Sequence, residues 1–429
     1  MTKAKQYKQK NFSDFSETAQ YKKLLAKRHK NEKLFKNIGL FSIILSISFL
    51  MLLITNIIIR SDGALTETYV KMPIYLDDTV ITQTDREYLE NFSYRKLLIK
   101  SVSLYIEESN QNRRAKLKIL HFFSKGSYDN MKEYVLDNPE KIGEKVEIWL
   151  KASSKVDQYN KGHTKTIQPL YSNLLDKYFN GSDSIKKKLS FTLFTNGDST
   201  EPELAGIATS LLGSFLTMII FLLASFPLAI FLALYLEEFA AKNKFADFIE
   251  ININNLAAIP SIIFGLLGLS VFINFLHVPR SSAFVGGFTL SLMVLPTIVI
   301  ATRNSIKAIP SSIKQAALGM GASPIQVALH HTLPLAMPGI LTGTILAVAR
   351  ALGETAPLIM IGMIAFIVDL PQGFSDPTTV LPVQIYLWSN NPEIGFVEKT
   401  AATILLLLIF LVLFNAIAIY LRNKFSRKW

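Results

Sequence analysis

Arg350 and Glu354 are the residues of this chain best suited to handling an anion, and they stand four apart in the run ARALGETAPL. The surrounding stretch is apolar. An ionisable side chain at membrane depth costs about 3 kcal/mol or more, so such residues mark either a translocation path or a structural ion pair. The four-residue spacing puts both on one helix face, where they can pair. A guanidinium offers planar, permanently charged donors that match a tetrahedral oxyanion. A carboxylate beside it would hold the guanidinium in place and keep binding weak enough for release. The competing reading is an ion pair that positions the helix and meets no ligand. Arg303, flanked by Thr302 and Asn304, is a second basic candidate at the end of another apolar run, where a snorkelling arginine is the commoner role. Thr355 and Pro357 would shape the helix beside the pair. About fifteen residues, or ~22 Å of helix at 1.5 Å per residue, separate Arg350 from the start of its apolar segment, which puts it near mid-membrane.

Other chemistries find no support. The chain has no cysteine, so neither disulfides nor thiol catalysis is available. It contains no G-x-x-x-x-G-K-[ST] loop to cradle nucleotide phosphates. His121 and His163 are isolated, with no metal-ligand spacing around them. We therefore assign no catalytic residue, no metal site and no cofactor.

The elements that must position Arg350 and Glu354 follow from hydropathy. Half of the 429 residues are hydrophobic and 18% are charged, the balance of a polytopic membrane protein. Six apolar spans are expected: 37–59, 204–236, 251–276 (where Pro260, Gly265 and Gly268 allow close helix packing or a bend), 283–300, 335 to about 368, and 401–421. The net charge of +12 resides entirely in residues 1–36 and in the tail 422–429, with the remainder neutral overall. A nucleic-acid binder would line a folded face with basic residues instead. The positive-inside rule puts both termini in the cytoplasm, as six spans require. Segment 303–334, with three basic residues and no acid, belongs on the same side. Segment 369–399 has four acids and one lysine, as an external loop can. The first span exceeds a signal-peptide core and lacks a good cleavage site after it, so it reads as a retained anchor.

Between the first two spans lies a polar region with nearly balanced charge, expected to be extracytoplasmic. The runs LLIKSVSLYI and VEIWLKAS alternate enough to be strands, whereas KEYVLDNPEKIGEK is broken by Pro139 and Gly143. A small α+β domain is expected here, of unread function. The resulting fold class is an all-α polytopic membrane protein of six transmembrane helices with an inserted α+β extracytoplasmic domain. Its divisions are 1–36, 37–59, 60–202, 203–421 and 422–429.

Segment 311–334 holds a second kind of signal. Pro310 ends a helix, Ser311 or Ser312 can cap the next over 313–320, and Gly321 can terminate that one. Ser323 with Gln326 has capping-box spacing, with Pro324 at the first helical position and Pro334 leading into the fifth span. Two short helices at an angle, faced by Ala316, Ala317, Gly319, Gly321 and Ala322, suit insertion into a protein cleft.

These residues resemble a family. ABC importer permeases have a cytoplasmic signature of Glu-Ala-Ala, three residues, Gly, nine residues, Ile, one residue, Leu-Pro. The matching positions here are Gln315, Ala316, Ala317, Gly321, His331, Leu333 and Pro334, with Gln315 and His331 the two departures. The runs FPLAIFLALYLEEFA, NLAAIPSIIFGLLGL, VLPTIVIATRNSIKAIP and ARALGETAPL, together with NGDSTEPELAGI, look like the A-type permeases of phosphate ABC importers over about residues 196–421. The resemblance implies a type I importer core, coupling to a separate ABC ATPase dimer through 311–334, and an arginine on the path in the Arg350 segment. It further implies a second, C-type permease, an extracytoplasmic phosphate-binding protein and a cytoplasmic-membrane location among lipids. Alternatives are a permease for sulfate or molybdate, a secondary anion transporter, or a membrane sensor.

Overall fold

The computed structural model describes residues 19–110, 112–164, 167–179, 183–241, 243–364 and 366–425. The chain divides into two units, Met1–Ile59 and Arg60–Trp429. The described residues of the first lie in helix α1 (Ala19–Ser61). Its 43 residues extend ~65 Å, about twice the hydrocarbon thickness of a bilayer, so the expected 37–59 span is one part of a longer helix. Phe41, Ile44 and Met51 are exposed along it, the arrangement that a lipid-facing helix requires.

The second unit begins with a small α+β domain. Its elements are β1 (Thr66–Tyr75), α2 (Arg86–Asn91), α3 (Arg95–Tyr105), α4 (Arg113–Leu120), α5 (Ser127–Asp137), β2 (Lys145–Lys151), α6 (Ser154–Asn160), α7 (Pro169–Tyr178) and β3 (Ile185–Leu189). The strands form one antiparallel sheet in the order β2-β1-β3, with Met72 opposite Ile148 and Thr66 opposite Leu189. Alternation along β1 buries Val70, Met72 and Ile74 on one face. They share a core with Ile148 and Leu150 of β2, Leu97 and Val102 of α3, and Met131 and Val135 of α5. VEIWLK is a strand, as expected, but LLIKSVSLYI is helix α3. Leu97, Leu98, Ser101 and Val102 bury together, and that spacing follows a 3.6-residue period, not a period of two. Helix α5 stops before Pro139, and Gly143 takes φ +99°.

After the single turn α8 (Thr192–Thr195) comes the membrane block. Helix α9 (Ala208–Leu234) continues into a π turn, Tyr235–Phe239. Then follow α10 (Lys244–Ala257), α11 (Ser261–Gly268) with its π extension Leu269–Phe275, and α12 (Ala283–Lys307). Next are α13 (Ser311–Gly319), α14 (Pro324–Gln326), a π stretch Val327–Thr332 and α15 (Leu333–Gly353). The chain ends in α16 (Ala356–Met360), α17 (Leu381–Ser389) and α18 (Gly395–Phe425). Among the described residues five helices are long and apolar enough to cross a membrane, or six if the bent pair α10–α11 counts as one.

Of the expected spans, the third bends where its proline allows and the fifth needs correction. In the third, 251–276, the chain turns by 106° between α10 and α11. Pro260 sits at the break with ψ 138°. Its ring disfavours helical geometry at the preceding residue, and it supplies no N–H to continue the ladder. The fifth, 335 to about 368, ends at Gly353, where Glu354 turns extended at φ −79°, ψ 127°. Continuing the helix would drive the ring of Pro357 into the Gly353 carbonyl four residues back. At its other end this span starts earlier than expected, since Pro324–Gly353 forms one apolar helical stretch. Pro334 lies inside it. The adjoining π register, Val327–Thr332, is a common way to absorb the amide that a proline lacks.

Helices α9, α12 and α15 form the centre of the block. Met218 and Phe221, Val294 and Ile298, and Ile340 and Ala347 bury together there. Small residues let α15 run close against α12: a methyl added at Gly339 would meet Ser305, and one at Gly343 would meet Ala301.

Candidate functional site

Arg350 lies in the last turn of α15, and Glu354 is the first residue beyond it. The two therefore face each other across a helix end, not along one helix face. Arg350 Nε stands 3.7 Å from Glu354 Oε1, an ion-pair distance too long for a hydrogen bond, and the arginine side chain is 47% exposed. Gly339, Thr342, Leu346, Arg350 and Gly353 are all exposed, while Ile340, Gly343, Ala347 and Ala351 are buried. Steps of three and four make the exposed set one continuous stripe on α15. A side chain at Gly353 would meet nothing within 4 Å. The antiparallel pairing of 339 with 305 and of 343 with 301 extends to set Arg350 level with about Val294. That is near the midpoint of the 25-residue helix α12. Thr355 is half-buried and starts α16, whose Pro357 packs against Gly265.

Residues 311–334 form a two-part projection. Helix α13 is N-capped by Pro310, not by Ser311 or Ser312, and it closes in a Schellman motif. Gly321 has φ +92°, its N–H donates to Leu318 O, and the Ala322 N–H donates to Ala317 O. The expected capping box is present: Ser323 N–H donates to Gln326 Oε1 at 2.9 Å and Gln326 N–H to Ser323 Oγ at 3.3 Å. Instead of forming a separate second helix, α14 runs on through the π stretch into α15. Gln315 and Ala316 are exposed, Ala317 is buried, and Leu333 and Pro334 are half-buried. The tip exposes Leu318, Met320 (79%), Ile325 and Leu329, apolar surface that the described residues leave open.

Arg303 is buried and already occupied. Its Nε contacts Glu237 Oε1 at 2.5 Å and its Nη2 contacts Glu250 Oε2 at 2.8 Å, while Lys307 lies 3.4 Å from Glu237. The neighbouring Glu238 takes Lys314 of α13 at 2.5 Å. The π turn after α9 therefore grips both the end of α12 and the projection. Glu250 and Lys314 carry no signal in the sequence for these ties, because their partners lie 53 and 76 residues away.

A second ionic cluster joins the small domain to the start of α18. Lys151 pairs with Glu67 at 2.8 Å, and Lys161 with Asp157 at 2.5 Å and Glu398 at 3.4 Å. His163, unremarkable in the sequence, also pairs with Glu398. Glu203 and Lys399 line the same small cavity. Glu203 is buried and neither of its oxygens has a hydrogen-bond partner. Burial pushes its carboxyl up to about 7. Among the described residues no three His, Asp or Glu side chains gather as metal ligands would.

Residues 204–428, slightly over half of the chain, match the family of binding-protein-dependent transport system inner membrane components. Residues 22–169 match a domain of unknown function, DUF3333. The phosphate transport system permease protein PstA of Haemophilus influenzae is 31% identical over 240 residues, spanning 56% of this chain and 83% of that protein. PstA of Yersinia pestis is 30% identical over 244 residues, 56% and 79% of the respective chains. Among solved structures, an inward-facing methionine ABC transporter covers 52% of this chain and 95% of its own at 19% identity and TM-score 0.42. A bacterial alginate importer covers 64% and 98% at 17% identity and TM-score 0.43. On the strength of the sequence matches, the chain belongs to the binding-protein-dependent transport system inner membrane components and, within them, to the PstA-type permeases.

Proposed function

We propose that this chain is one permease half of an ATP-driven phosphate importer, with the α15 stripe forming its share of the ion path. The observation that carries this reading is the uncovered stripe through Gly339, Thr342, Leu346, Arg350 and Gly353. A half-exposed arginine level with the middle of α12 cannot rest against lipid tails without a large penalty. A second, C-type permease facing the same stripe would enclose it and leave Arg350 in a polar path. Its guanidinium then offers the fixed fork of donors that an oxyanion needs, with Glu354 as counter-charge and Thr355 beside it.

The drive comes from elsewhere. The chain lacks a nucleotide loop, so ATP hydrolysis is assigned to a separate ABC ATPase dimer. That partner docks on the projection containing Gln315, Ala316, Ala317, Gly321, Leu333 and Pro334, whose exposed apolar tip supplies the contact. Because α14 runs on into α15 through one helical stretch, movement of the tip passes directly to Arg350. We read Arg303 as a tie between helices rather than a substrate contact, since two carboxylates occupy its guanidinium. The protein lies in the cytoplasmic membrane with both termini inside, and residues 60–202 form an extracytoplasmic module on the side where a phosphate-binding protein delivers the ion. The permease core is 203–421.

The test is ATP-dependent uptake of labelled phosphate by proteoliposomes containing the whole complex, with sulfate and molybdate as competitors. Phosphate uptake resistant to both competitors is the expected result. Uptake of sulfate or molybdate in place of phosphate would overturn the substrate and leave the permease reading standing.

A further inference from the structure

The small domain meets the membrane block at a patch that nothing in the transport reading uses. Strand β3 is an edge strand with the sequence IKKKL, and Lys186, Lys187, Lys188 and Leu189 are exposed. Glu67, the β1 residue opposite Lys188, is taken up by Lys151 at 2.8 Å, and Lys188 itself stands over the ring of Tyr69. The next residues are apolar and uncovered: Leu189 is 76% exposed, Phe191 69% and Phe194 39%. Leu193, on the opposite side of the single turn α8, is buried.

The position of the patch identifies what covers it. The Ile207 N–H donates to Leu193 O at 2.7 Å and the Ala208 N–H to Asn196 O at 3.0 Å, so α8 is bonded to the first residues of the apolar helix α9. Leu193 also clusters with Ala64, Ile207 and Phe396, so the turn lies where the apolar helices α9 and α18 begin, which is headgroup height for helices that span a bilayer. Basic residues flanking exposed aromatic and aliphatic side chains are the pattern of an interfacial anchor. Lysines on the open strand edge also discourage pairing with another strand.

We propose that residues 186–194 seat the small domain on the adjoining leaflet. Leu189, Phe191 and Phe194 enter the boundary between headgroups and acyl chains, and Lys186, Lys187 and Lys188 contact the phosphates of anionic phospholipids. The anchor fixes the domain's height above the mouth of the path and does not depend on which ion is carried.

The absence of cysteine makes the test clean. Nitroxide labels are placed singly at Leu189→Cys, Phe191→Cys and Phe194→Cys of the full chain in nanodiscs, so loss of folding in one variant leaves two others. A control label goes at Lys145→Cys, opposite Tyr75 at the far end of β1 from Thr66, about 30 Å away along the strand. Electron paramagnetic resonance then compares collisions with oxygen, which partitions into lipid, and with a water-soluble nickel chelate. The three patch labels should give oxygen-to-nickel ratios several-fold above the control. They should sit deeper in phosphatidylglycerol than in phosphatidylcholine discs, and Lys186→Gln/Lys187→Gln/Lys188→Gln should abolish that difference. Inorganic phosphate added to phosphatidylcholine discs should leave the depth unchanged. Patch labels as open to nickel as the control would overturn the proposal. So would labels shielded from both reagents, which would place protein and not lipid over the patch. A depth indifferent to lipid charge would overturn the contact between the lysines and anionic phosphates.

Discussion

Two buried charges of this chain have opposite circumstances, and each makes a measurable prediction. Arg303 has both flanks of its guanidinium filled by Glu237 and Glu250. Arg303→Ala leaves Glu237 with Lys307 alone and Glu250 without its partner, and should destabilise the protein by about 2 kcal/mol, the usual order for losing hydrogen bonds to charged groups. Adding Glu237→Gln should recover part of that loss in thermal unfolding. Glu203 has no such partner. Burial raises its folded carboxyl from 4.5 to about 7, so between those pH values the folded chain keeps a proton that the unfolded chain has released. Stability is then greatest below the unfolded value and declines as pH rises towards 7, by about 3 kcal/mol in all. Unfolding midpoints between pH 5 and 8 should show that decline in the native chain, and Glu203→Gln should flatten it. The other acids lining the cavity, Glu67, Asp157 and Glu398, share it with Lys161 and Lys399, and Lys151 pairs with Glu67.

At the scale of elements, Glu238 and Lys314 are the link to test. The pair joins the π turn at the end of α9 to α13 at 2.5 Å, so movement of the projection reaches α9 as well as α15. Glu238→Lys or Lys314→Glu alone should lower transport per ATP roughly fivefold or more, the lower range of a typical coupling energy. The double exchange should restore most of it, whereas an ornamental surface pair would leave all three variants alike. Much of this projection was legible in the sequence, because Gly321, Ser323 and Gln326 are local punctuation whose partners lie within a few residues. The ties of Arg303 and Lys314 were not, since their carboxylates are remote in sequence. Hydropathy likewise reports that a stretch is apolar but not where it points. Pro260 marked a place for a bend but not its 106°, and the end at Gly353 read as an uninterrupted span. Pro357 was the available signal for that end.

On the scale of the whole molecule, composition and the charged ends led to a polytopic membrane protein, and the motif series led to the PstA-type family. The separation between a β-containing domain and a helical block was also legible, although α3 passed for a strand because its apolar residues fit both periods over a short run. What the sequence could not supply was the relation between those parts. The cluster of Glu67, Lys151, Asp157, Lys161, Glu203 and Glu398 is assembled from segments far apart in the chain, and it ties the domain to the first turn of α18. Arg350 was picked out for its cost in an apolar segment, but only the packing of α15 on α12 revealed that it stands on an uncovered face. The account centres on that residue. The most direct measurement is ATP-driven phosphate uptake by the reconstituted complex, comparing the native chain with Arg350→Gln while tracking assembly and basal ATP hydrolysis. We predict uptake reduced at least tenfold, equivalent to about 1.4 kcal/mol or more, with assembly and basal hydrolysis retained. Uptake at the native rate would contradict a place for Arg350 on the phosphate path and reduce its pairing with Glu354 to a structural contact.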